Sequence, residues 1–512
     1  MEQQMQKSNK YLIISVILLA GFFIFNSFYS ISVPISGDEA YHWEWSRHLD
    51  FGYYDHPPMI GWFIAFTRAL GRIIGGSELF WTRLPALLSV TGIMIIVFKL
   101  VTQITGRQKL GFFALLMMMV TPLFSFGSNL VTTDQPLLLF WGLTFYFVYQ
   151  ALFENKKNYW YFAGIAMGLA FLSKFISILF LPGVFFFLLV SKEDRHWLAR
   201  KEPYLSLVLT FIIYLPNLIW NATHDWATFL FNLSSRHQTG FSLKVFANSI
   251  LAQTAVVGPI IFFLLLLSLV YAGWQGLKKK DRKALFLFSI SASVFVFFFF
   301  ISLFREVGAH WPAVGYISLF ITFIYIFKDI FNQEKSSPRL KWLFYFGIAL
   351  SLVMTITIHL LPVAAYQLPE KINLMGNELE IDHRDLGPLY GWQEMGLHLE
   401  KLQDETEEDL FFMSPSYAFS SMLSFNTPGQ PFVRVYGSNS VYGQNYKYWN
   451  NFQQLKGRDA IFTYKRPLDN YIDKLNESFE NVEELSPLRI YDPKDRQVRT
   501  IYYIYCQDFI GE

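Results

Sequence analysis

Long runs of apolar residues alternate with short polar or charged segments along most of the chain. Eleven of these runs approach the roughly 20 residues that an α-helix needs to cross a bilayer. They lie near residues 11–30, 82–103, 110–126, 135–153, 159–174, 176–191, 204–220, 246–273, 284–304, 311–329 and 341–362. The pattern predicts an α-helical polytopic membrane protein with about 11 transmembrane helices.

Two of these runs, 159–174 and 176–191, form one apolar stretch that is interrupted at Ser173 and Lys174. A single straight helix over the whole stretch would be longer than the bilayer is thick. We therefore expect a hairpin that turns at Lys174.

Basic residues are divided unevenly between the two sets of loops. With a cytoplasmic N-terminus, the inner loops hold more than twice as many Lys and Arg residues as the outer loops before residue 363. Short basic loops stay in the cytoplasm, so the asymmetry supports a cytoplasmic N-terminus and an odd number of spans. Merging the hairpin into one helix would put the basic segment Lys278–Lys283 outside.

The first outer loop, residues 31–81, is long. Its part from Pro57 to Gly75 is apolar and carries Arg68 and Arg72 four residues apart, a pattern typical of a helix that lies in the membrane interface. We assign this loop to a membrane domain that covers residues 1–362.

The tail, residues 363–512, is polar and predicts a small extracytoplasmic α/β domain. Four short apolar segments resemble strands: Leu410–Met413, Phe432–Tyr436, Ala460–Tyr464 and Thr500–Tyr505. The segment from Trp392 to Asp404 has helical spacing.

The composition is that of a membrane protein and excludes several kinds of partner and site. The chain is 53% hydrophobic and 16% charged, whereas a soluble protein carries about a quarter charged residues. A net charge of +2 gives no indication of a nucleic-acid partner. The single cysteine, Cys506, excludes an intramolecular disulfide and a cysteine-based zinc site. No cofactor is predicted, and no ligand spacing indicates a divalent metal.

The first candidate site follows the first span. Asp38 and Glu39 are adjacent carboxylates at the start of a probable helix, close to the membrane surface. Desolvation there would make either carboxylate a better base. The alternative is helix capping, because acidic residues in a first turn complement the helix dipole. Farther along the loop, His56 follows two tyrosines and precedes two prolines.

Other outer loops add further polar residues near span ends. Each of these residues alone could be an interface anchor or a snorkelling side chain. Together they place cations and acids on one side of the membrane, where a lipid phosphate needs cations and a hydroxyl acceptor needs a base. The residues are Asp134, Lys174, Arg236, Arg305 and His310.

The stretch GDEAYHWEWSRHLDFGYYDHPPMIGW, residues 37–62, resembles the polyprenyl-phosphate-dependent glycosyltransferases of family 39. This protein mannosyltransferase-like group includes the bacterial aminoarabinose and galacturonic acid transferases of lipid A and the lipopolysaccharide core. The resemblance covers roughly residues 1–362, with weaker similarity at 391–394 and 445–449.

This resemblance implies a C-type glycosyltransferase fold and a role for each candidate residue. Asp38, beside Glu39, matches the catalytic carboxylate, and Asp134 matches the second acid of the family. Lys174 matches the basic residue of a Thr-Lys motif, and His56 stands where a phosphate-contacting lysine occurs. The basic positions assigned to the donor phosphate by resemblance are His56, Lys174, Arg236, Arg305 and His310.

We therefore predict an enzyme that moves a sugar from a polyprenyl-phosphate donor to an envelope acceptor on the periplasmic face. Lipid A, the lipopolysaccharide core, another glycan and a protein are all compatible acceptors. Loss of phosphate as the leaving group predicts inversion at the anomeric carbon.

The alternative from another class is a flippase or transporter of a lipid-linked glycan. Transporters usually place polar residues at mid-membrane and in repeated halves, whereas here the ionisable residues cluster at span ends. A sensor with an outer domain would leave the acid pair unexplained. An O-antigen ligase or polymerase usually has its long outer loop late in the chain.

Overall fold

The structure, a computed structural model, describes residues 2–232, 240–331, 337–369, 371–374, 377–380, 382–406, 410–438, 440–466 and 469–511. Its contacts divide the chain into two compact units. The membrane unit comprises Met1–Ser30 and His56–His359, and the C-terminal unit comprises Ile31–Asp55 and Leu360–Glu512.

Helices account for most of the chain before residue 365. They are α1 (Glu2–Ser32), α2 (Gly37–Trp45), α3 (Met59–Ile74), α4 (Glu78–Thr105), α5 (Gln108–Val120), α6 (Pro122–Ser125), α7 (Asp134–Phe153), α8 (Tyr159–Ser173), α9 (Phe180–Val190), α10 (Lys201–Thr223), α11 (Ala227–Leu230), α12 (Leu243–Val257), α13 (Pro259–Lys278), α14 (Arg282–Ile301), α15 (Ala313–Ile326) and α16 (Pro338–Ala364). Of these, α2 belongs to the C-terminal unit.

An apolar helix lies at each of the eleven predicted spans. Within the described residues, seven helices are long and apolar enough to cross a membrane, or eight if the pair 108–120 and 122–129, bent by 77°, is one span. Large apolar side chains on these helices face outward, including Phe28 and Val270, which are about two-thirds exposed. Such surfaces require lipid, so the chain is a multi-pass membrane protein. The number of crossings stays a prediction.

The predicted span at 246–273 is divided in two at Gly258, which has a φ of 95°. A Cβ atom at this position would lie 2.0 Å from Oγ of Ser351 on α16. Glycine therefore allows both the corner between α12 and α13 and its close approach to α16.

The chain also breaks at Lys174, as expected, where the backbone is extended between α8 and a short 3-10 turn, Phe175–Leu179, that leads into α9. The two helices have different neighbours, since α8 packs on α7 and α10 whereas α9 packs on α14.

Loops that were predicted to share the inner side contact one another. Arg282, at the start of α14, bonds the carboxylate of Asp194 at 2.5 and 2.7 Å and the carbonyl of Leu152 at 2.6 Å. Next to it, Nζ of Lys283 bonds the carbonyl of Ile104 at 2.9 Å. The ends of α4, α7 and α9 therefore meet the start of α14 at one end of the helix bundle.

The helix predicted between residues 57 and 75 is present as α3. Its Arg68 is buried and pairs with Glu78 at the start of α4, while Arg72 is exposed. The location of α3 in the membrane interface stays a prediction.

The C-terminal unit is an α/β domain, as predicted. Its strands and longer helices are β1 (Lys371–Leu374), β2 (Asn377–Glu380), α17 (Trp392–Thr406), β3 (Phe411–Ser414), α18 (Tyr417–Asn426), β4 (Val433–Val435), α19 (Tyr446–Trp449), β5 (Ala460–Tyr464), α20 (Asp469–Ser478), β6 (Phe479–Glu484), β7 (Leu488–Tyr491) and β8 (Gln497–Phe509). The main sheet has the order β4-β3-β5-β8-β6, with β7 also paired to β8. All four predicted strands and the predicted helix are found.

Residues 31–55, which we predicted to be part of the membrane domain, have contacts that group them with the C-terminal unit. The reason is the packing of α2 on α18. A Cβ atom at Gly37 would lie 2.7 Å from Cβ of Ala418. The backbone of α2 at Gly37 therefore contacts the Ala418 side chain of α18 directly. Nearly two turns farther along each helix, the rings of Trp43 and Phe425 meet at 5.1 Å.

Candidate active site

The carboxylates of Asp38 and Glu39 have different environments although they are neighbours. Ser36 is the N-cap of α2, and its hydroxyl accepts a bond from the Glu39 N–H while the Glu39 carboxylate accepts one from the Ser36 N–H at 3.0 Å. This capping box holds Glu39 in a buried position. The capping alternative therefore describes Ser36 and Glu39, whereas Asp38 is exposed.

The Asp38 carboxylate contacts α18. The hydroxyl of Tyr417 donates a hydrogen bond of 2.9 Å to Oδ1 of Asp38. Burial, and next the negative charge of Asp38, raise the pKa of Tyr417, so this hydroxyl stays protonated and acts as a donor. Among the described contacts of Asp38, its Oδ2 atom has no hydrogen-bond partner and can accept a proton.

Gly443 holds the ring of Tyr417 in place. Its φ is 73°, and a Cβ atom there would lie 2.1 Å from Cγ of Tyr417. The backbone around Gly443 therefore packs flat against the tyrosine, which fixes the donor that meets Asp38.

Asn445 ties the segment 31–55 to the rest of the C-terminal unit. Its side-chain NH₂ donates to the hydroxyl of Tyr41 at 2.7 Å, and its side-chain oxygen accepts from the N–H of Tyr54 at 2.7 Å. The Tyr41 hydroxyl in turn donates to Oδ2 of Asp55 at 2.7 Å. Burial, followed by the charge of Asp55, raises the pKa of Tyr41.

A second group of predicted residues meets in the membrane unit. The Nζ atom of Lys174 lies 2.8 Å from Oδ1 and 2.9 Å from Oδ2 of Asp134. His310 reaches the same carboxylate, with Nε2 3.5 Å from Oδ2. Asp134 and Lys174 are buried, whereas the His310 side chain is 55% exposed. Three separate loops therefore converge on one carboxylate.

Neighbouring amides support this cluster. Gln135 accepts a bond from the N–H of Thr132 at 2.8 Å and donates to the carbonyl of Gly127 at 2.9 Å, which orders the loop before α7. The side chain of Gln253 donates to the carbonyl of Ala309 at 3.1 Å, next to His310.

The remaining candidates are placed as follows. His56 is half-buried at the approach to α3, and Arg305 is half-buried in the loop that leads to His310. Arg236 lies outside the described residues. Their roles at the donor phosphate, and those of the two clusters, stay predictions.

Sequence reasoning missed Tyr417 and the anchoring role of Asn445. A tyrosine far from the first loop carries no local signal, since its partner is defined by tertiary packing. The weak similarity to the family at residues 445–449 includes Asn445, but it gave no indication of the contacts that this residue makes. The spacing of Ser36 and Glu39 fits a capping box and could have identified the true N-cap.

The chain is similar to known membrane proteins in sequence and fold. Residues 55–220, which include His56, Asp134 and Lys174, match the dolichyl-phosphate-mannose-protein mannosyltransferase family. The lipid A galacturonosyltransferase RgtD of Rhizobium johnstonii is 28% identical over 283 residues, which is 55% of this chain and 58% of RgtD. The chain thus spans less than two thirds of that relative.

Solved structures share the fold over nearly the whole chain. ArnT from Cupriavidus metallidurans in the apo state matches with a TM-score of 0.60 and 15% identity, covering 97% of this chain and 98% of ArnT. ArnT has also been solved bound to undecaprenyl phosphate. The oligosaccharyltransferase of Archaeoglobus fulgidus matches with a TM-score of 0.52 and 10% identity over 94% of this chain and 74% of its own.

These similarities confirm the resemblance seen in the first loop and the fold class that it implied. Residues 55–220 are similar to the dolichyl-phosphate-mannose-protein mannosyltransferase family, and the chain has the C-type glycosyltransferase fold seen in ArnT.

Proposed function

We propose that this protein is a membrane glycosyltransferase that moves a sugar from a polyprenyl-phosphate donor to an envelope acceptor. Acceptors of this kind include lipid A, the lipopolysaccharide core, another glycan and a protein. RgtD is named as a lipid A galacturonosyltransferase, which supports a glycolipid acceptor. ArnT has been solved with bound undecaprenyl phosphate, which supports a polyprenyl-phosphate donor.

The convergence of Asp134, Lys174 and His310 is the observation that carries the proposal. A buried acid that fixes a lysine beside an exposed imidazole is costly at the ends of apolar helices. Such a cost is typical of a functional site. The lysine has three N–H donors, so it can meet a phosphate oxygen while Asp134 holds it.

Asp38 is proposed as the catalytic carboxylate. It is exposed and held at Oδ1 by Tyr417, so Oδ2 is available for the hydroxyl of an acceptor. Glu39, which was predicted beside it, is proposed to position Asp38 through the capping box of α2.

The transfer step conserves atoms and charge. Asp38 takes the proton of the acceptor hydroxyl, whose oxygen forms a bond to the anomeric carbon. The bond from that carbon to the phosphate oxygen breaks, and its electron pair leaves with the polyprenyl phosphate. Attack opposite the leaving group inverts the configuration, and fixed cations stabilise the charge on the phosphate. Lys174, Arg236, Arg305, His310 and His56 are the cations proposed for this task.

We further propose that the protein resides in the bacterial inner membrane with its N-terminus in the cytoplasm and its C-terminal unit in the periplasm. The excess of basic residues in the loops around Arg282 supports this orientation.

Mass spectrometry of envelope lipids and glycans from cells with and without the gene tests the proposed function. We expect a single sugar mass to be missing from one acceptor when the gene is deleted, and to return with the wild-type gene. If the gene encoded a flippase, its deletion would leave the separate transferase intact and would cause the donor to accumulate on the inner side of the membrane. Unchanged envelope glycans in the deletion strain would contradict the proposal.

A further inference from the structure

A basic cavity of about 560 Å³ lies in the C-terminal unit. Four cationic side chains line it, and Asp385 is the one acidic residue among its described lining. The cations are Arg384, Lys465, Arg466 and Arg499. Arg384 is paired with Asp382 at 2.7 Å, so the other three supply the excess positive charge.

Arg499 is built into the wall of the cavity. Its guanidinium stacks on the ring of Trp392 at 4.5 Å and lies 3.3 and 3.4 Å from the carbonyls of Tyr390 and Gly387. A Cβ atom at Gly387 would lie 2.6 Å from Cγ of Arg499, so glycine makes room for this side chain. Burial lowers the pKa of Arg499 to about 10, because its guanidinium is largely removed from water.

Lys465 and Arg466 follow the end of β5 and stand beside β8, where Tyr464 pairs with Tyr502. Both are exposed, and within the described residues neither has a carboxylate within ion-pair distance. Burial, and then the charges of Arg499 and Arg466, lower the pKa of Lys465. Three cations that repel one another are therefore held around one space in which Asp385 is the one acidic residue of the described lining.

We propose that this cavity binds a phosphate monoester, either free or carried by a glycolipid. Arginine and lysine together form strong charge-assisted bonds to phosphate oxygens. The hydroxyls of Thr500 and Tyr502 also line the cavity and can add neutral donors. A divalent anion relieves the repulsion among the cations, which explains why uncompensated charge is kept in a concave site.

The wall of the cavity packs on α18, the helix that also contacts Asp38. The ring of Phe419 on α18 lies 5.8 Å below the Arg499 guanidinium, and Tyr417, two residues earlier, bonds Asp38. A phosphate held in the cavity is therefore placed at a fixed distance from the catalytic carboxylate. This use, which rests on the proposed function, is to position a phosphorylated acceptor.

Isothermal titration of the full-length protein in detergent tests the inference. The probes are mixed micelles that contain lipid A with its phosphates, the same micelles with phosphatase-treated lipid A, and inorganic phosphate. The variant is K465Q/R466Q, and the matched control is K401Q/K456Q, which removes two exposed cations of the same unit that do not line the cavity.

We expect phosphorylated lipid A to bind the wild type and the control at least about tenfold more tightly than the phosphatase-treated form, because charge-assisted bonds contribute roughly this much each. The K465Q/R466Q variant loses that difference. Competition by inorganic phosphate assigns recognition to the free anion, and its absence assigns it to the glycolipid. Equal binding of both lipid forms, or wild-type binding by K465Q/R466Q, overturns the inference.

Binding and transfer are separable outcomes. The D38N variant is expected to bind phosphorylated lipid A normally, since Asp38 does not line the cavity. Phosphate-dependent binding without transfer by the wild type would contradict the proposed function and leave the cavity's role standing. Transfer that does not change in K465Q/R466Q would contradict only the cavity's role.

Discussion

The hydroxyl of Tyr417 donates a 2.9 Å hydrogen bond to Oδ1 of Asp38, across 379 positions of the sequence. The bond attaches the carboxylate of the first polar segment to a helix of the C-terminal unit. The bond holds one oxygen of the Asp38 carboxylate and leaves Oδ2 for the acceptor hydroxyl, which is the position that a general base requires.

Replacing Tyr417 with Phe removes this donor and keeps the ring. Loss of one hydrogen bond to a charged group costs roughly 1.5–3 kcal/mol, and Asp38 then loses its fixed orientation. We expect kcat for sugar transfer to fall about tenfold or more, with little change in the thermal unfolding midpoint. A full-rate Y417F enzyme would show that the orientation of Asp38 is unimportant.

Replacing Gly443 with Ala tests the same contact through the backbone. The new methyl group would overlap Tyr417 and would also sit at a φ of 73°. Gly429 is a matched control, because its φ is 71° and nothing lies within 4 Å of a Cβ atom there. We expect G429A to lose about 1 kcal/mol of stability from strain alone and to retain transfer. We expect G443A to lose more stability than G429A and most of its sugar-transfer activity. Equal stability and equal transfer in the two variants would mean that the contact of Gly443 with Tyr417 is not needed.

The ion pair of Lys174 and Asp134 allows a double-mutant test. K174Q leaves a buried carboxylate without its main cation, which costs about 3–5 kcal/mol. The double variant D134N/K174Q buries no charge, so we expect it to regain most of the unfolding midpoint. Transfer should stay absent in both variants, because the phosphate-binding cation is missing. If D134N/K174Q regained sugar transfer together with stability, the role of Lys174 would be structural only.

Alkaline pH is expected to destabilise the C-terminal unit. The pKa of Tyr41 is raised in the folded state by burial and by Asp55, so its stabilising effect is present below the unfolded pKa of about 10 and is lost as the pH rises above it. We expect this contribution to stay constant up to about pH 10 and the unfolding midpoint to fall at higher pH. The fall should be shallower in Y41F, and an identical pH profile for the two proteins would contradict the assignment.

The sequence predicted the elements that local pattern controls. Apolar runs predicted the positions of the apolar helices, and short apolar segments predicted β3, β4, β5 and β8 of the C-terminal unit, because both signals depend on nearest neighbours along the chain. The break at Lys174 was also visible, since a charged residue interrupts an apolar run.

Features that depend on distant packing were missed. The division at Gly258 depends on contact with Ser351, and the placement of residues 31–55 depends on Gly37 against Ala418. No local pattern reports either contact. The cluster of Asp134, Lys174 and His310 was predicted from topology, because alternate loops of a helical bundle must return to the same end.

The most direct test of sugar transfer uses purified protein in vesicles made from the envelope lipids of a deletion strain, which contain both donor and unmodified acceptor. Asn at position 38 still accepts the bond from Tyr417 but cannot take a proton, and D50N, at an exposed acid of the same segment, is the control. Mass spectrometry should detect the added sugar mass with the wild type and D50N, and none with D38N. Equal sugar transfer by D38N and the wild type would contradict the account.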